Sequence, residues 1–374
     1  MMNANPLKKL GTFGQSIWLD YIRRDLITSG QLRRLIDEDG LRGMTSNPAI
    51  FEKAIVDSQE YDEDIRNMAL EGKEVNAIYE TLSQRDVQSA ADEFRSLYDK
   101  TDGHDGYVSL EVNPHLAHDT NGTVEEARRF WKTLARPNVF IKVPATTQGL
   151  PAIQALISDG INVNVTLLFG LPRYRQVANA YLAGLAARVA RGKPVTHVAS
   201  VASFFVSRID ALVDPLLEKV IAQAGDKAVL AKTMRGQVAI ASAKMAYQIY
   251  KEIFCSDRFR SLAAQGARAQ RVLWASTSTK NPDYSDVKDV EALIGPETVN
   301  TAPFETLDAY RDHGDPNARL EQDVEEARLV LDRLPNLGID IDHVTQQLED
   351  EGVVKFNKPF DKILQTLANS SPRR

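Results

Sequence analysis

Short apolar runs, separated by longer stretches of helical period, alternate along most of the chain. Eight of the runs are candidate strands: 16–22 (SIWLDYI), 43–47 (GMTSN), 107–113 (YVSLEVN), 139–145 (VFIKVPA), 161–168 (INVNVTLL), 197–205 (HVASVASFF), 271–277 (RVLWAST) and 297–303 (ETVNTAP). Each interval between them is long enough for a helix, and hairpin signals such as Asn-Gly between paired strands are lacking. Repeated strand–helix units imply a parallel sheet. Eight units predict an α/β fold closed into a (β/α)8 (TIM) barrel, with an open doubly wound sheet as the alternative.

The helical stretches carry their own punctuation. Thr123 with Glu126 forms a capping-box pattern ahead of Val124, Ala127, Trp131 and Leu134 at helical spacing. Pro172 sits where proline opens a helix. Residues 206–224 and 226–253 read as one helix each, and 317–334 and 341–369 as carboxy-terminal helices. The stretch 50–100 is too long for one crossover and predicts an insertion of two or three helices. Within it, QRDVQSAADEFRSLYDK reads as a packed surface helix. No repeat, low-complexity tract or Gly/Pro/Ser-rich linker divides residues 1–374, so one barrel domain with helical insertions is expected. Residues 277–290 are the most loop-like interior segment.

Composition narrows the classes. Of 374 residues, 43% are hydrophobic and 26% charged, as in an ordinary globular protein with a large core. A net charge of -6 argues against a nucleic-acid or anionic-membrane surface, though not against a small anionic ligand held by a few cations. The single cysteine, Cys255, excludes an intramolecular disulfide and a cysteine metal cage. The opening MMNANPLKKLGTFGQ lacks the apolar core of a secretory signal, and no apolar run approaches the ~20 residues of a membrane span. A cytoplasmic location is the expectation. Monomer and homodimer both remain open.

Polar residues interrupt the strands where a barrel wants apolar ones. Asp20, Glu111 and Lys142 lie inside three of them, and Asn162, Asn164 and Thr166 alternate in a fourth, which puts those three on one face. Lysine is rarely buried without a partner. Desolvated, it loses basicity and becomes a nucleophile toward carbonyls. The structural reading of Lys142 is a strand-end lysine reaching water, or an ion pair with Glu111 or Asp20. The chemical reading is a nucleophile with carboxylates from other strands to move protons. Lys142, Glu111, Thr166 and Asn47 fall near carboxyl ends of strands, where sites of this fold gather. The SFFVSR segment at the end of the sixth candidate strand carries Ser203 and Arg208, and ASTSTKNP at the end of the seventh carries Ser278 and Lys280. Hydroxyls plus cations there can hold a phosphate, or can be ordinary caps and surface charges. His115, His118 and Asp119 make a weak H-x-x-H metal candidate, and neither a Walker A sequence nor G-x-G-x-x-G occurs.

WLDYIRRD, TSNPAIFEKAI, SLEVNPHLAHDT, FIKVPATTQGL, INVNVTLLFGL, SFFVSRID and ASTSTKNP, in that order over nearly the whole chain, resemble the transaldolases, specifically the longer bacterial kind. The resemblance implies a class I aldolase-type (β/α)8 barrel. It implies Lys142 as Schiff-base lysine, Asp20 as the carboxylate serving the C4 hydroxyl, and Glu111 with Thr166 as the pair holding the catalytic water. Asn47, Asn164 and Ser203 would bind the dihydroxyacetone unit, Phe205 would form wall, and Arg208, Ser278 and Lys280 would bind phosphate. Lys280 stands where the family commonly has arginine, a point charge in place of a bidentate clamp, which bears on phosphate affinity more than on chemistry. Ser207 replaces a smaller residue, a change expected to matter little.

The implied reaction is transfer of a dihydroxyacetone unit from sedoheptulose 7-phosphate or fructose 6-phosphate to glyceraldehyde 3-phosphate or erythrose 4-phosphate. It belongs to the non-oxidative pentose phosphate pathway and needs no metal or organic cofactor. Rival expectations are a hydrolytic class I aldolase releasing dihydroxyacetone, a non-catalytic sugar-phosphate-binding barrel, and a metal-dependent barrel enzyme, the last lacking grouped His and carboxylate ligands at strand ends.

Overall fold

A computed structural model describes residues 5–370. Residues 1–4, part of the opening read for a secretory signal, lie outside the described residues. Among the described residues, eight strands form a closed, all-parallel barrel in chain order: β1 Gln15–Asp20, β2 Gly43–Thr45, β3 Tyr107–Glu111, β4 Val139–Pro144, β5 Val163–Leu168, β6 Ser200–Phe205, β7 Arg271–Ala275 and β8 Thr298–Ala302. Seven lie inside their predicted runs, and β1 begins one residue before its run, at Gln15. Closure comes from pairing β8 back onto β1, with Trp18 opposite Thr301, which excludes the open sheet.

The pleat sorts side chains by period two. On β4, Phe140 and Lys142 share the inner face, as do Trp18 and Asp20 on β1. Phe140 stacks on Tyr107 at 4.2 Å and on Trp18 at 6.2 Å, so an aromatic floor lies one layer below the polar residues. Gly43 is required by this floor, since a Cβ there would lie 2.5 Å from the Trp18 indole.

The helices follow the reading with three corrections, and one strand residue is placed differently. The 50–100 insertion holds Pro48–Val56, Asp62–Leu70 and Val75–Lys100, and the last buries Val87, Ala90, Ala91 and Phe94. The capping box at Thr123 is not used. Helix Thr120–Leu134 is capped by Asp119, which accepts from the Gly122 N–H, while Thr123 donates to the Leu116 carbonyl from inside the first turn. The predicted helix 226–253 is two, Asp226–Met234 and Val238–Phe254, because Gly236 takes a left-handed φ of 69° between them. The predicted helix 317–334 begins only at Val324. Asn162 precedes β5 and spends its amide on the Pro137 and Val139 carbonyls and the Ala199 N–H, so it braces the amino-terminal end instead of lining the inner face with Asn164 and Thr166.

The last helix, Ile341–Ser370, packs on β5 and on four surrounding α-helices, and so crosses the carboxyl end of the barrel. Among the described residues no helix is long and apolar enough to cross a membrane.

Candidate active site

Lys142 is 4% exposed and rises from the inner face of β4 above the aromatic floor. Register places Glu111 beside it on β3 and Asn164 beside it on β5. The ammonium donates to the Ser46 carbonyl at 2.9 Å and lies 3.4 Å from a Glu111 oxygen. Ser46 is itself held, its hydroxyl donating to the Ser109 carbonyl. Apart from that ion pair, neither Glu111 oxygen has a hydrogen-bond partner among the described residues, and neither does the Thr166 hydroxyl. Burial pushes the Glu111 carboxyl up to about 7, against the lowering pull of Lys142, and Asp20 adds to the rise.

Asp20 ends β1 and accepts from the Thr45 hydroxyl at 2.6 Å, which in turn meets Thr301 at 2.7 Å. Burial raises the Asp20 carboxyl, while Lys142, the Thr45 hydroxyl and Lys280 hold the rise back. Asn164 is fully buried, donating to Ser109 at 3.0 Å and accepting from Ser203 at 2.7 Å. Asn47 caps the Pro48–Val56 helix by accepting from the Ile50 N–H.

These groups surround a cavity of about 210 Å³ at the carboxyl ends of the strands. Asp20, Asn47, Lys142, Thr166, Ser203 and Phe205 line its depth, and Arg208, Ser278 and Lys280 one edge. Glu111 and Asn164 lie behind the wall, in contact with Lys142 and Ser203. Arg208 stands in the first turn of helix Ser207–Ile221, and its Nε has no hydrogen-bond partner among the described residues. Burial lowers the basicity of Arg208, and burial plus nearby Arg208 lowers that of Lys280. Two cations crowded together, one of them at a helix start, make an anion-binding edge. Ser207 has more to do than its sequence position suggested: its hydroxyl meets that of Ser276 at 3.0 Å, and its N–H donates to the Ser276 carbonyl, tying β6 to β7 under this edge.

His115, His118 and Asp119 do not converge as a ligand set. His115 pairs with Asp361, His118 meets Gln148, and Asp119 caps a helix. Among the described residues no group of three metal-capable side chains is found.

Several lining residues escaped the sequence reading. Thr45 and Thr301 carry hydroxyls in ordinary strand positions. Lys355 and Phe356 come from the carboxy-terminal helix, where a Lys-Phe pair looks like any amphipathic turn. Period two from Glu111 would have found Ser109.

Fold and cavity define a (β/α)8 barrel with a lysine-centred site, its acids on β1 and β3 and its cations at one edge. The chain belongs to the transaldolase/fructose-6-phosphate aldolase family, whose model matches residues 17–367. It is 49% identical over 370 residues to a transaldolase of Trichodesmium erythraeum, covering 98% of this chain and 97% of that one. It is 48% identical over 371 residues to transaldolase 2 of a Nostoc species, with coverage of 98% and 97%. It is also 48% identical over 368 residues to a transaldolase of Saccharopolyspora erythraea, with 98% of each chain covered.

Proposed function

We propose that this protein is a transaldolase that carries a dihydroxyacetone unit on Lys142 from a ketose phosphate to an aldose phosphate. The observation that carries the reading is the buried Lys142 amine, 3.4 Å from a carboxylate raised to about 7, on the wall of a cavity edged by cations. A carboxyl poised near neutrality can both give and take a proton.

The ketose phosphate binds with its phosphate on Arg208, Lys280 and Ser278 and its carbinol end against Asn47 and Ser203, with Asn164 orienting Ser203 from behind and Phe205 as wall. The neutral amine of Lys142 adds to the C2 carbonyl to give a carbinolamine. Glu111, through a water held with Thr166, protonates the departing hydroxyl, and the iminium forms as water leaves. Asp20 takes the C4 hydroxyl proton. The C3–C4 bond breaks, its electrons pass to the iminium, and the aldose phosphate departs, leaving a three-carbon enamine. An incoming aldose phosphate is attacked by that enamine, and the steps reverse. Ping-pong kinetics follow. Fructose 6-phosphate and sedoheptulose 7-phosphate as donors fit the non-oxidative pentose phosphate pathway, and a cytoplasmic location goes with that role.

Intact mass after incubation with fructose 6-phosphate and borohydride tests the reading. A reduced three-carbon adduct is expected on the wild type and none on Lys142→Arg. Sugar-phosphate binding with no adduct on either protein overturns it. The second reading, a hydrolytic aldolase, is favoured by one fact: the family's description includes fructose-6-phosphate aldolase. Rapid dihydroxyacetone release without an acceptor aldehyde would select it.

A further inference from the structure

The carboxy-terminal helix contributes a side chain to the cavity that the proposed chemistry does not yet use. We propose that Phe356 sets the partition between transfer and hydrolysis, its ring excluding water from the three-carbon unit held on Lys142. This rests on the transaldolase reading above.

Phe356 is 7% exposed and lines the same cavity as Lys142, with its ring centroid 5.9 Å from the Lys142 nitrogen. That is within reach of an aromatic face for a cation, so the ring favours the positively charged iminium while offering water no hydrogen bond. The helix is set at this height by a close contact one turn earlier. A Cβ on Gly352 would lie 2.9 Å from Leu167 Cδ2, so the bare glycine lets the helix rest directly on the Leu167 side chain. Leu167 is itself unusual. It holds a left-handed φ of 54° within the register irregularity between Val165 and Leu168, next to Thr166. Gly352 and Phe356 are four residues apart, hence on one face of the helix. The Gly352–Leu167 contact therefore determines how the Phe356 ring sits over the amine. One turn further on, Phe360 packs edge-on against Tyr79 at 5.2 Å, which anchors the other side.

Hydrolysis of the retained unit balances with a single water. The enamine carbon gains a proton, the former imine carbon gains the oxygen as a carbonyl, the C–N bond to Lys142 breaks, and free amine and dihydroxyacetone leave. Transfer needs no net water. Anything that lowers the chance of water reaching that carbon therefore suppresses one exit and leaves the other.

The test compares wild type, Phe356→Ala and Phe356→Leu. Two rates are measured with fructose 6-phosphate: dihydroxyacetone release without acceptor, and transfer to erythrose 4-phosphate. The ratio of release to transfer is expected to rise about tenfold in Phe356→Ala and to stay within about twofold in Phe356→Leu, which keeps an apolar cover. If the alanine variant does not fold, Phe356→Val, with part of the ring volume removed, should show the same direction. A purely structural role lowers both rates together, and an unchanged ratio in the alanine or valine variant overturns the inference. Borohydride trapping on the same samples separates the failures. No adduct on the wild type sinks the Schiff-base reading itself, whereas adducts on all variants with a constant ratio sink only the role of Phe356.

Discussion

At the amino-terminal end of the barrel Arg271 is buried beside Asp105, and at the carboxyl end Lys142 is buried beside Glu111. The two cation–carboxylate pairs are similarly hidden from water but differently supplied. Arg271 donates from both Nη atoms to four acceptors: the His104 and Thr298 carbonyls, the Asp105 carboxylate and the Ser16 hydroxyl. Ser16 returns a hydrogen bond to Asp105 at 2.6 Å. Lys142 has one carbonyl and a longer contact to a carboxylate whose oxygens make no hydrogen bond. A planar fork met by several fixed acceptors holds strands together; an amine with sparse partners stays available to react. The difference separates a structural charge from a chemical one.

That contrast can be broken at either end. The largest effect is expected at the amino-terminal end. Arg271→Met should cost about 3–5 kcal/mol of stability, since it removes the buried cation paired with Asp105 and leaves the Ser16, His104 and Thr298 groups without their donor, while leaving kcat of the folded fraction unchanged. Chemical denaturation together with steady-state kinetics checks both halves, and normal stability with lost activity would reverse the assignment. Glu111→Gln should do the opposite. It should lower kcat by about 10²–10⁴-fold, the usual worth of a general acid–base, with a much smaller loss of stability than Arg271→Met. A variant that unfolds but retains kcat per folded molecule would make Glu111 a structural partner like Asp105.

The smallest effect sharpens the comparison on the mouth side. Asp289 is 1% exposed, its Oδ1 makes no hydrogen bond, and Lys288 lies 3.9 Å away. Burial pushes its carboxyl up to about 7, Lys288 and Lys280 hold the rise back, and Asp210 adds to it. With the folded-state value above the unfolded one, the folded protein binds the proton more tightly. Stability is then undiminished below the unfolded value, falls as pH rises between the two, and reaches its full loss above about 7. Asp289→Asn is therefore expected to gain on the order of 1–2 kcal/mol at pH 8.5 and about half as much at pH 5.5, midway through the window. Thermal melts at the two values check it, and a gain independent of pH would refute the burial argument.

Much of this was legible along the chain because barrel strands leave polar residues nowhere neutral to go. Lys142, Asp20, Glu111 and Thr166 stood out as interruptions of apolar runs, and the period-two alternation of Asn164 and Thr166 is that of an inner face. Asn162 obeyed the same alternation, yet it lies before the strand begins and braces three backbone groups. Local pattern does not register where a ladder starts. Helix ends failed for a related reason. Thr123 and Asp119 are both good caps, and only the packing of the preceding turn, where Thr123 finds the Leu116 carbonyl, decides between them.

What the sequence determined by itself is the alternation that makes eight strands and the chemical types placed at their ends, since both depend on neighbours two to four residues away. Only the tertiary structure decided that β8 closes onto β1, that Ser46, just past β2, supplies the carbonyl for Lys142, and that Gly352 and Leu167 bring Phe356 over it. Those contacts join residues from about one hundred to nearly three hundred positions apart. They follow from shape and packing of the whole barrel, which no local periodicity encodes.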